Sequence, residues 1–457
     1  MILERIKSEG TSHNSYFLGA GNDAVVIDPR RDCQVYVDFA QQKGLKIRSI
    51  FETHRNEDFV VGSVGLKNIT GAEIYHGPGL DWKYGNTLRD NQSFRIGELE
   101  LTAIHTPGHT DESMCYVITD LATGKVPVMV FTGDTLFVGD TGRTDLYGEK
   151  EKARLASNLY ESIFKRLLPL GDGVIIYPGH GGGSVCGMHI ANRDQSTIGI
   201  ERAQNPVLQM KTKEEFTRYK IAENPERPPY FTKMEKYNLE GPPLLGYMPL
   251  ISPLTAKEFR EEINKGALVV DTSEPADFAG IHIKGAYSIW IEGLPVFGGW
   301  VLPYDKPIIL VLEAHEGPEL AVRHLFRSGY DQIHGFLKGG IESWYNAGFP
   351  VESMGLLSVH QLKSMLDRHE PLTIIDTRGD EEWKSGHIEG ALHIYVGHLE
   401  QRLSEIPRDK PVAVYCKTGR RAGLSASILL MGGFSRVYNV PGSVTAWLAA
   451  GFPLTTG

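Results

Sequence analysis

The chain has 457 residues, of which 41% are hydrophobic and 23% are charged; these are the proportions of ordinary globular proteins, and the length allows two to four domains. Its formal net charge is −9 and it contains no block of lysines and arginines, so nucleic acid is excluded as an expected partner. The longest apolar runs, such as residues 308–312, are too short to span a bilayer, so we do not expect a membrane-spanning protein.

The N-terminus and the cysteines indicate the compartment. Residues 1–7 lack the apolar core of a secretion signal. The four cysteines lie far apart and show no paired spacing, which argues against a disulfide framework; they are Cys33, Cys115, Cys186 and Cys416. We therefore expect a cytoplasmic protein with reduced thiols.

Strand-like apolar runs dominate the first 145 residues. Runs at 25–27, 47–51, 101–104 and 126–131 each lead into a turn that carries glycine, proline or polar residues. Helical patterns follow at 149–168 and around 213–221. Strands with flanking helices predict a layered α/β sandwich for this region.

Three of these runs are followed by a side chain that commonly binds metal. His54 follows the run 47–51, His109 follows 101–104, and Asp134 follows 126–131. Two neutral imidazoles and one carboxylate that leave coordination positions open form the facial triad that holds non-haem Fe(II). The alternative is that each is an ordinary loop residue and the site binds no metal.

The turns that carry these residues resemble those of a known family. His54 with Asp58, the turn His-Thr-Pro-Gly-His109, Gly-Asp134 and Pro-Gly-His180 are similar, in order and spacing, to the metal-site loops of the metallo-β-lactamase fold. The resemblance covers about the first 240 residues. It implies an αββα sandwich with a metal at one edge.

The first motif departs from the pattern of that family, which is usually His-x-His-x-Asp-His. This chain has Asn56 and Phe59 in place of the second and third histidines. A two-zinc hydrolase of the glyoxalase II type would be short of a ligand at both positions, because zinc sites commonly use three or more protein ligands. The remaining set of His54, His109 and Asp134 resembles that of the mono-iron persulfide dioxygenases. The resemblance implies one Fe(II) per chain, with zinc as the alternative.

Three further residues near these turns have candidate roles at the site. Asp58 is a candidate for orienting a ligand imidazole, since metal-bound histidines usually have such a partner. His180 is a candidate for lining the pocket. Cys186 lies at the end of a glycine-rich loop at 180–186 that lets backbone approach a ligand closely. For each of the three, a purely structural role is the alternative, and for Cys186 this is a buried thiol.

A proline- and glycine-rich linker at 240–246 marks a domain boundary, so we assign residues 1–245 to the first domain. The remaining chain repeats itself. Val269-Val270-Asp271-Thr272 recurs 105 residues later as Ile374-Ile375-Asp376-Thr377, and His282-Ile283-Lys284-Gly285-Ala286 recurs as His387-Ile388-Glu389-Gly390-Ala391. This shift predicts two small parallel α/β domains, at 246–352 and 353–457.

In the last copy, an apolar strand-like run ends at Cys416, and a helical pattern begins shortly after it. A cysteine in that position meets backbone N–H groups and the positive end of the helix dipole, which lower the pKa of a thiol. Lys417, Thr418, Gly419 and Arg420 complete the loop up to Arg421. The loop resembles the Cys-x-x-Gly-x-Arg loop of rhodanese, which implies a sulfurtransferase in which Cys416 and Arg421 act and residues 417–420 bind the persulfide. A tyrosine phosphatase needs five residues between cysteine and arginine, and here there are four.

The middle copy has no cysteine at the matching place. Its strand-like run leads to Glu313, followed by Ala314, His315, Glu316, Gly317 and Pro318. A carboxylate cannot carry a persulfide and repels thiosulfate. We expect an inactive rhodanese-like domain that serves as a spacer or docking domain, with a new binding function as the alternative.

The whole layout resembles a persulfide dioxygenase fused to rhodanese that carries one inactive rhodanese-like copy. Its small-molecule partners would be a thiol persulfide, oxygen, and thiosulfate or sulfite; a homo-oligomer is a tendency of the family. The alternatives are a zinc thioester hydrolase of the glyoxalase II type fused to rhodanese, and a sulfur carrier whose metal site is degenerate.

Overall fold

The computed structural model describes residues 1–223, 225–245, 248–313 and 316–456. The chain divides into two compact units, one formed by residues 1–248 with 326–329 and the other by residues 249–325 with 330–457. The three domain ranges inferred above remain predictions of the sequence. Gly246, at the start of the second range, and Gly457, at the end of the third, lie outside the described residues.

The first unit contains two six-stranded sheets. Strands β1 to β6 form one sheet in chain order; they are Ile2–Ser8, His13–Ala20, Asp23–Ile27, Lys46–Phe51, Glu73–His76 and Asn86–Thr87. Strands β7 to β12 form the other, again as successive neighbours; they are Gln92–Ile96, Leu99–His105, Met114–Asp120, Pro127–Gly133, Ile175–Pro178 and Ser196–Thr197. Strands β3 to β6 pair in parallel, as do β10 and β11, so the carboxyl ends of these strands lie along sheet edges where turns can bring polar side chains together.

The two sheets pack face to face because alternate residues on each strand are apolar. Phe51 of β4, Tyr116 of β9 and Phe131 of β10 are fully buried in one cluster, and the rings of Phe51 and Tyr116 lie 5.1 Å apart. Tyr36 and Leu66 belong to a second cluster on the outer face of the first sheet, and Leu159 to a third on the outer face of the second sheet. These outer residues are helical, so the predicted αββα sandwich is confirmed.

The helices of the first unit are α1 to α6; they are Gln34–Lys43, Ser63–Thr70, Glu149–Glu161, Ile198–Gln204, Lys213–Ala222 and Phe231–Glu240. The helical pattern at 149–168 forms α3 up to Glu161, and the chain then continues as a π-helical turn over Ser162–Leu167 and a 3-10 turn over Leu168–Leu170. Pro169 lies in that last turn, where an α-helix cannot continue without losing a hydrogen bond. Helix α5 agrees with its pattern and begins at a capping box between Thr212 and Glu215.

The second unit contains two five-stranded parallel sheets with the same internal order. The first sheet has the order β13-β17-β16-β14-β15, and its strands β13 to β17 are Pro253–Leu254, Leu268–Asp271, Tyr287–Ser288, Ile308–Val311 and Ile333–Leu337. The second has the order β18-β22-β21-β19-β20, and its strands β18 to β22 are Gly355–Leu356, Thr373–Asp376, Leu392–His393, Val412–Tyr415 and Val437–Asn439. The predicted pair of small parallel domains is therefore confirmed.

Most helices of this unit repeat, although between its third and fourth strands the last copy has a 3-10 helix, Glu400–Glu405, where the middle copy has an α-helix, Leu294–Val301. Helices α7 to α11 are Ala256–Asn264, Pro275–Gly280, Leu294–Val301, Pro318–Arg327 and Gly340–Asn346. Helices α12 to α15 are Val359–Asp367, Asp380–Lys384, Arg420–Met431 and Ser443–Ala449. A tryptophan closes each copy in the same way, because Trp344 Nε1 donates to Pro350 O at 2.9 Å and Trp447 Nε1 donates to Pro453 O at 2.8 Å. No helix among the described residues is both long enough and apolar enough to cross a membrane.

Candidate metal centre and cysteine loop

The turns after four strands of the first unit meet at one edge of the sandwich. His54 follows β4, His109 follows β8, Asp134 follows β10 and His180 follows β11, and all four side chains are buried. The turn at Gly133 makes this meeting possible. Gly133 has φ +48°, and a Cβ there would lie 2.6 Å from the side chain of Thr53, so only glycine lets the end of β10 come this close to the end of β4.

The three predicted metal ligands face one another, and we call them the candidate metal centre. Asp134 Oδ2 lies 3.8 Å from His54 Nε2 and 3.7 Å from His109 Nε2. Both Nε2 atoms are buried; His54 Nε2 has no hydrogen-bond partner, and His109 Nε2 lies 3.2 Å from a carboxylate oxygen of Glu57. Donor atoms that share one ion through bonds of about 2 Å lie roughly 3 to 4 Å apart. The geometry therefore fits a single metal ion between the three side chains.

The opposite nitrogen of each imidazole is held by hydrogen bonds that fix its tautomer. His109 Nδ1 lies 2.9 Å from the backbone oxygen of Arg143, so it carries the proton and donates. His54 Nδ1 lies 2.9 Å from Thr53 Oγ1, whose own hydroxyl donates to Asp28 Oδ2 at 2.7 Å. His54 must therefore donate to Thr53, and in the neutral form of each ring the lone pair lies on Nε2, directed at the centre, as metal-bound imidazoles require.

Glu57 enters this cluster, and the sequence argument missed it. Its Oε1 lies 3.2 Å from His109 Nε2 and its Oε2 lies 3.7 Å from His54 Nε2. Asn56 and Phe59 drew attention because they replace histidines, whereas Glu57 stands at a position to which the family pattern gives no role. The signal that would have found it is an acidic residue within the loop that has lost its histidines.

The electrostatics of the cluster favour a bound cation. Burial pushes the pKa of His109 down, but the carboxylates of Glu57 and Asp134 outweigh this effect and raise it to about 9. Burial pushes the pKa of Glu57 up, but the charges of His109 and His54 outweigh the effect of burial and lower this pKa to about 2. Burial also lowers the pKa of His54, to about 4. The cluster thus keeps its carboxylates ionised and draws positive charge to itself.

Asp58 and His180 form a chain that supports Asp134. His180 Nδ1 lies 2.8 Å from Asp134 Oδ1, and His180 Nε2 lies 2.9 Å from Asp58 Oδ2. Burial works against a charged imidazole, but the two carboxylates raise the pKa of His180 well above its usual value. Asp58 therefore contacts His180 rather than a predicted metal-binding imidazole, and it acts on the centre through the orientation of Asp134.

Cys186 lies inside the cluster as a buried thiol. Its Sγ donates to Glu57 Oε1 at 3.6 Å. Burial and the nearby carboxylates of Asp58 and Glu57 raise the pKa of this thiol well above its usual value. A protonated, buried thiol is a poor nucleophile, so the contact of Cys186 with Glu57 is a positioning contact.

Two further buried residues surround the centre and were not singled out from the sequence. Arg143 pairs with Asp145 through two contacts of 2.7 Å and also donates to Val185 O at 3.1 Å, which ties the loop before Cys186 to the strand ends. His13 stacks on Phe59 with a ring separation of 3.8 Å, and its Nε2 has no hydrogen-bond partner. His13 also lines a surface cavity of about 230 Å³ next to Gly181 and Gly182.

The second candidate site is the cysteine loop, residues 416–421, in the second unit. Cys416 follows β21, and Gly419, with φ +106°, turns the chain into helix α14. Gly419 N donates to Cys416 Sγ at 3.1 Å, and Cys416 N donates to Ser443 Oγ at 3.0 Å. The sulfur therefore lies against a backbone donor at the start of a twelve-residue helix, as the sequence predicted.

The two arginines of this loop do not stand unopposed. Arg421 makes two contacts with Glu382, at 2.6 and 2.8 Å. Arg420 contacts Glu274, in the middle copy, at 2.5 Å. The sequence argument counted both arginines as positive charge for a sulfur anion and missed these carboxylates, because neither lies near the loop in sequence.

In the middle copy, β16 leads to Glu313, whose Oε1 accepts a hydrogen bond from the backbone N–H of Glu274 at 3.3 Å. Ala314 and His315, which the sequence argument also named, lie outside the described residues. Cys416 is the only cysteine in the two repeated copies. The middle copy therefore has no thiol at which to hold sulfur.

Fold and sites together define an αββα domain with a candidate metal centre, followed by a tandem of parallel α/β domains with one cysteine loop. A model of the metallo-beta-lactamase superfamily matches residues 9–180. A model of the rhodanese-like domain matches residues 255–347 and 358–450.

Individual relatives match parts of this layout. The mitochondrial persulfide dioxygenase ETHE1 of Bos taurus is 29% identical over 226 residues, a match that covers 47% of this chain and 78% of the relative. A hydroxyacylglutathione hydrolase of Tolumonas auensis is 31% identical over 170 residues, covering 36% of this chain and 60% of the relative. The crystal structure of a metallo-beta-lactamase from Staphylococcus aureus subsp. aureus COL is 30% identical with a TM-score of 0.65, covering 74% of this chain and 98% of that one. The chain belongs to the metallo-beta-lactamase superfamily and carries two rhodanese-like domains after the metallo-beta-lactamase domain.

Proposed function

We propose that this protein is an enzyme of sulfur metabolism with two activities. The first is a persulfide dioxygenase at one iron held by His54, His109 and Asp134. The second is a thiosulfate sulfurtransferase that works through Cys416. The observation that carries the first activity is the pair of buried Nε2 atoms of His54 and His109, which face buried carboxylates at 3.2 to 3.8 Å.

The donor set favours iron and oxygen chemistry. Two imidazoles and a carboxylate suit Fe(II), which would supply reactivity toward oxygen when bound. The chain itself orients the donors, because Thr53 and the Arg143 backbone hold the two imidazoles and His180 holds Asp134. Burial of the cluster keeps bulk water from the reacting atoms. The similarity to a persulfide dioxygenase supports the same assignment.

The reaction balances without a further reductant. One thiol persulfide, one oxygen molecule and one water give one thiol, one sulfite and two protons. The S–S bond breaks, the outer sulfur is oxidised to sulfite and oxygen is reduced. The substrate is a low-molecular-weight persulfide of the type R–S–SH.

The cysteine loop supports the second activity. The Cys416 thiolate attacks the outer sulfur of thiosulfate, a persulfide forms on Cys416 and sulfite leaves. A thiol then takes the sulfur and restores Cys416. The Gly419 N–H group and the start of α14 stabilise the negative charge on sulfur during these steps. The middle copy, which lacks a cysteine, serves as a spacer or docking domain.

A zinc thioester hydrolase is the second candidate, and the similarity to a hydroxyacylglutathione hydrolase favours it. Metal analysis of protein purified without added metal separates the two, together with assays on glutathione persulfide and on S-lactoylglutathione. We expect about one iron per chain, oxygen uptake with the persulfide and no thioester hydrolysis, since Asn56 and Phe59 withhold two of the usual ligands. Two zinc ions with hydrolysis would establish the hydrolase, and absence of metal would leave a sulfur carrier with Cys416 alone.

A further inference from the structure

Glu57 lies as close to the two imidazoles as the predicted ligand Asp134 does. Its carboxylate oxygens are 3.2 Å from His109 Nε2 and 3.7 Å from His54 Nε2, whereas Asp134 Oδ2 is 3.7 and 3.8 Å from the same two atoms. Each of the two carboxylates therefore lies close to each of the two imidazoles, and all four separations suit donor atoms that bind one ion.

The surroundings of Glu57 call for a cation. The residue is buried, with 2% of its surface exposed, and a buried carboxylate is costly unless a positive charge compensates it. One oxygen accepts the Cys186 thiol at 3.6 Å, which orients the group but brings no charge. A protonated His109 would compensate one carboxylate and leave the Nε2 atom of His54 without a hydrogen-bond partner, whereas a divalent ion at the centre would compensate Glu57 and Asp134 together and satisfy both nitrogens.

The position of Glu57 in the loop explains why it can take this place. Asn56 stands where the family pattern has a histidine, and it turns to the backbone, since its side chain donates to His54 O at 3.1 Å. The next residue, Glu57, extends into the centre instead. The donor lost at position 56 is thus replaced by its neighbour, and the replacement is a carboxylate rather than an imidazole.

We propose that Glu57 is a fourth protein ligand of the metal, so that the centre consists of two histidines and two carboxylates. This inference deepens the proposed function and concerns the same ion. The chain would then supply four donor groups to the metal instead of three. The second carboxylate also makes the centre with a divalent ion formally neutral.

Metal binding to the full chain tests this assignment. Anaerobic titration with Co(II), which reports its ligand set through visible absorption, would compare the wild type with Glu57→Gln, Glu57→Asp and Glu112→Gln. Glu112 is the matched control, because it is equally buried and in contact with the same loop. Its carboxylate accepts from Arg55 N and from Tyr147 Oη, both at 3.1 Å, and neither belongs to the centre.

We expect Glu57→Gln to weaken Co(II) binding by about tenfold to a hundredfold or more and to change the absorption bands. Glu57→Asp should keep the absorption bands of the wild type and lose less Co(II) affinity than Glu57→Gln does. Glu112→Gln should match the wild type in affinity and in absorption bands. Wild-type affinity and wild-type bands in Glu57→Gln would overturn the proposal. So would a wild type that binds no metal, because Glu57 would then be the ion-pair partner of His109. If Glu57→Gln does not fold, as judged by circular dichroism, the aspartate variant decides: wild-type affinity there would also overturn the assignment, and a measurable loss of affinity in Glu57→Asp but not in Glu112→Gln would support it.

The same set of proteins separates this inference from the proposed function. Iron-loaded wild type that shows no persulfide-dependent oxygen uptake would contradict the dioxygenase, while a metal loss confined to Glu57→Gln would still support Glu57 as a ligand. Oxygen uptake in the wild type, together with unchanged metal binding in Glu57→Gln, would support the dioxygenase and contradict Glu57 as a ligand.

Discussion

The two rhodanese-like copies share a fold and differ in one loop. Their sheets have the same strand order, and their first helices, α7 and α12, both begin at capping boxes, at Thr255 and Ser358. The matching strands β16 and β21 end at Val311 and Tyr415; Cys416 follows directly in the last copy, however, whereas the middle copy continues with Leu312 and Glu313. The comparison teaches that strands and helices preserve the fold while a loop of a few residues decides whether a copy can carry sulfur.

The loops differ in backbone as well as in side chain. In the last copy, Gly419 turns the chain and donates its N–H group to Cys416 Sγ. In the middle copy, the strand register places His315, which lies outside the described residues, at the position of Gly419, and helix α10 begins at Pro318, which has no N–H group to offer. A cysteine alone would therefore not convert one copy into the other.

The largest expected effect comes from Cys416→Ser. A serine hydroxyl is not ionised near neutral pH and cannot form a persulfide, so thiosulfate sulfurtransfer should fall to background. Sulfite release from labelled thiosulfate with a thiol acceptor measures this, and bound metal should stay at the wild-type level as a control. Full activity in this variant would show that the comparison identifies the wrong copy as active.

Gly419→Ala should have the next largest effect. Its positive φ strains an alanine by about 1 kcal/mol, and the new Cβ would lie 3.2 Å from Pro441 Cα, which displaces the N–H group that faces the sulfur. Gly390→Ala is the matched control, since Gly390 also has positive φ, at +80°, but open space around it. Both variants should lose similar stability in urea, and only Gly419→Ala should lose sulfurtransfer, by about tenfold or more. Equal activity in the two variants would show that the loop backbone has no catalytic role.

Glu274→Gln tests whether the middle copy influences the active one. Removing this carboxylate leaves the charge of Arg420 less compensated, although Glu292 lies within 3.9 Å of it. We expect the KM for thiosulfate to fall a few-fold at low salt, with kcat little changed, and the difference to shrink as salt is added, because the pair is partly exposed and screened. A KM that does not change at any salt concentration would leave the middle copy as a spacer.

The smallest expected effects are at Glu313. Glu313→Ala should leave sulfurtransfer unchanged, because no sulfur is carried there. Glu313→Cys, made together with Cys416→Ser, should not restore activity, because Glu316 and Pro318 leave the new thiol without a suitable cradle. Restored sulfurtransfer would show that a cysteine at position 313 is sufficient and that the backbone of this loop does not prevent activity.

The sequence predicts the fold better than it predicts the sites. Alternating apolar runs and the repeated Asp271 and Asp376 segments are local patterns, and they lead correctly to a sandwich followed by two parallel domains. The meeting of His54, His109 and Asp134 also follows from local signals, since each ends a strand. Glu57 could not be predicted in the same way, because its direction depends on the turn of Asn56 toward the backbone. The pairing of Arg420 with Glu274 joins residues 146 positions apart, and no local pattern reports such a contact.

The central claim is that oxygen chemistry and sulfur transfer occur at two separate sites, and crossing His109→Ala with Cys416→Ser tests it most directly. Bound iron, persulfide-dependent oxygen uptake and thiosulfate sulfurtransfer would be measured in each variant of the full chain. We expect His109→Ala to lose iron and oxygen uptake while keeping sulfurtransfer, and Cys416→Ser to show the reverse. Oxygen uptake at the wild-type rate in His109→Ala would contradict the assignment of the metal centre.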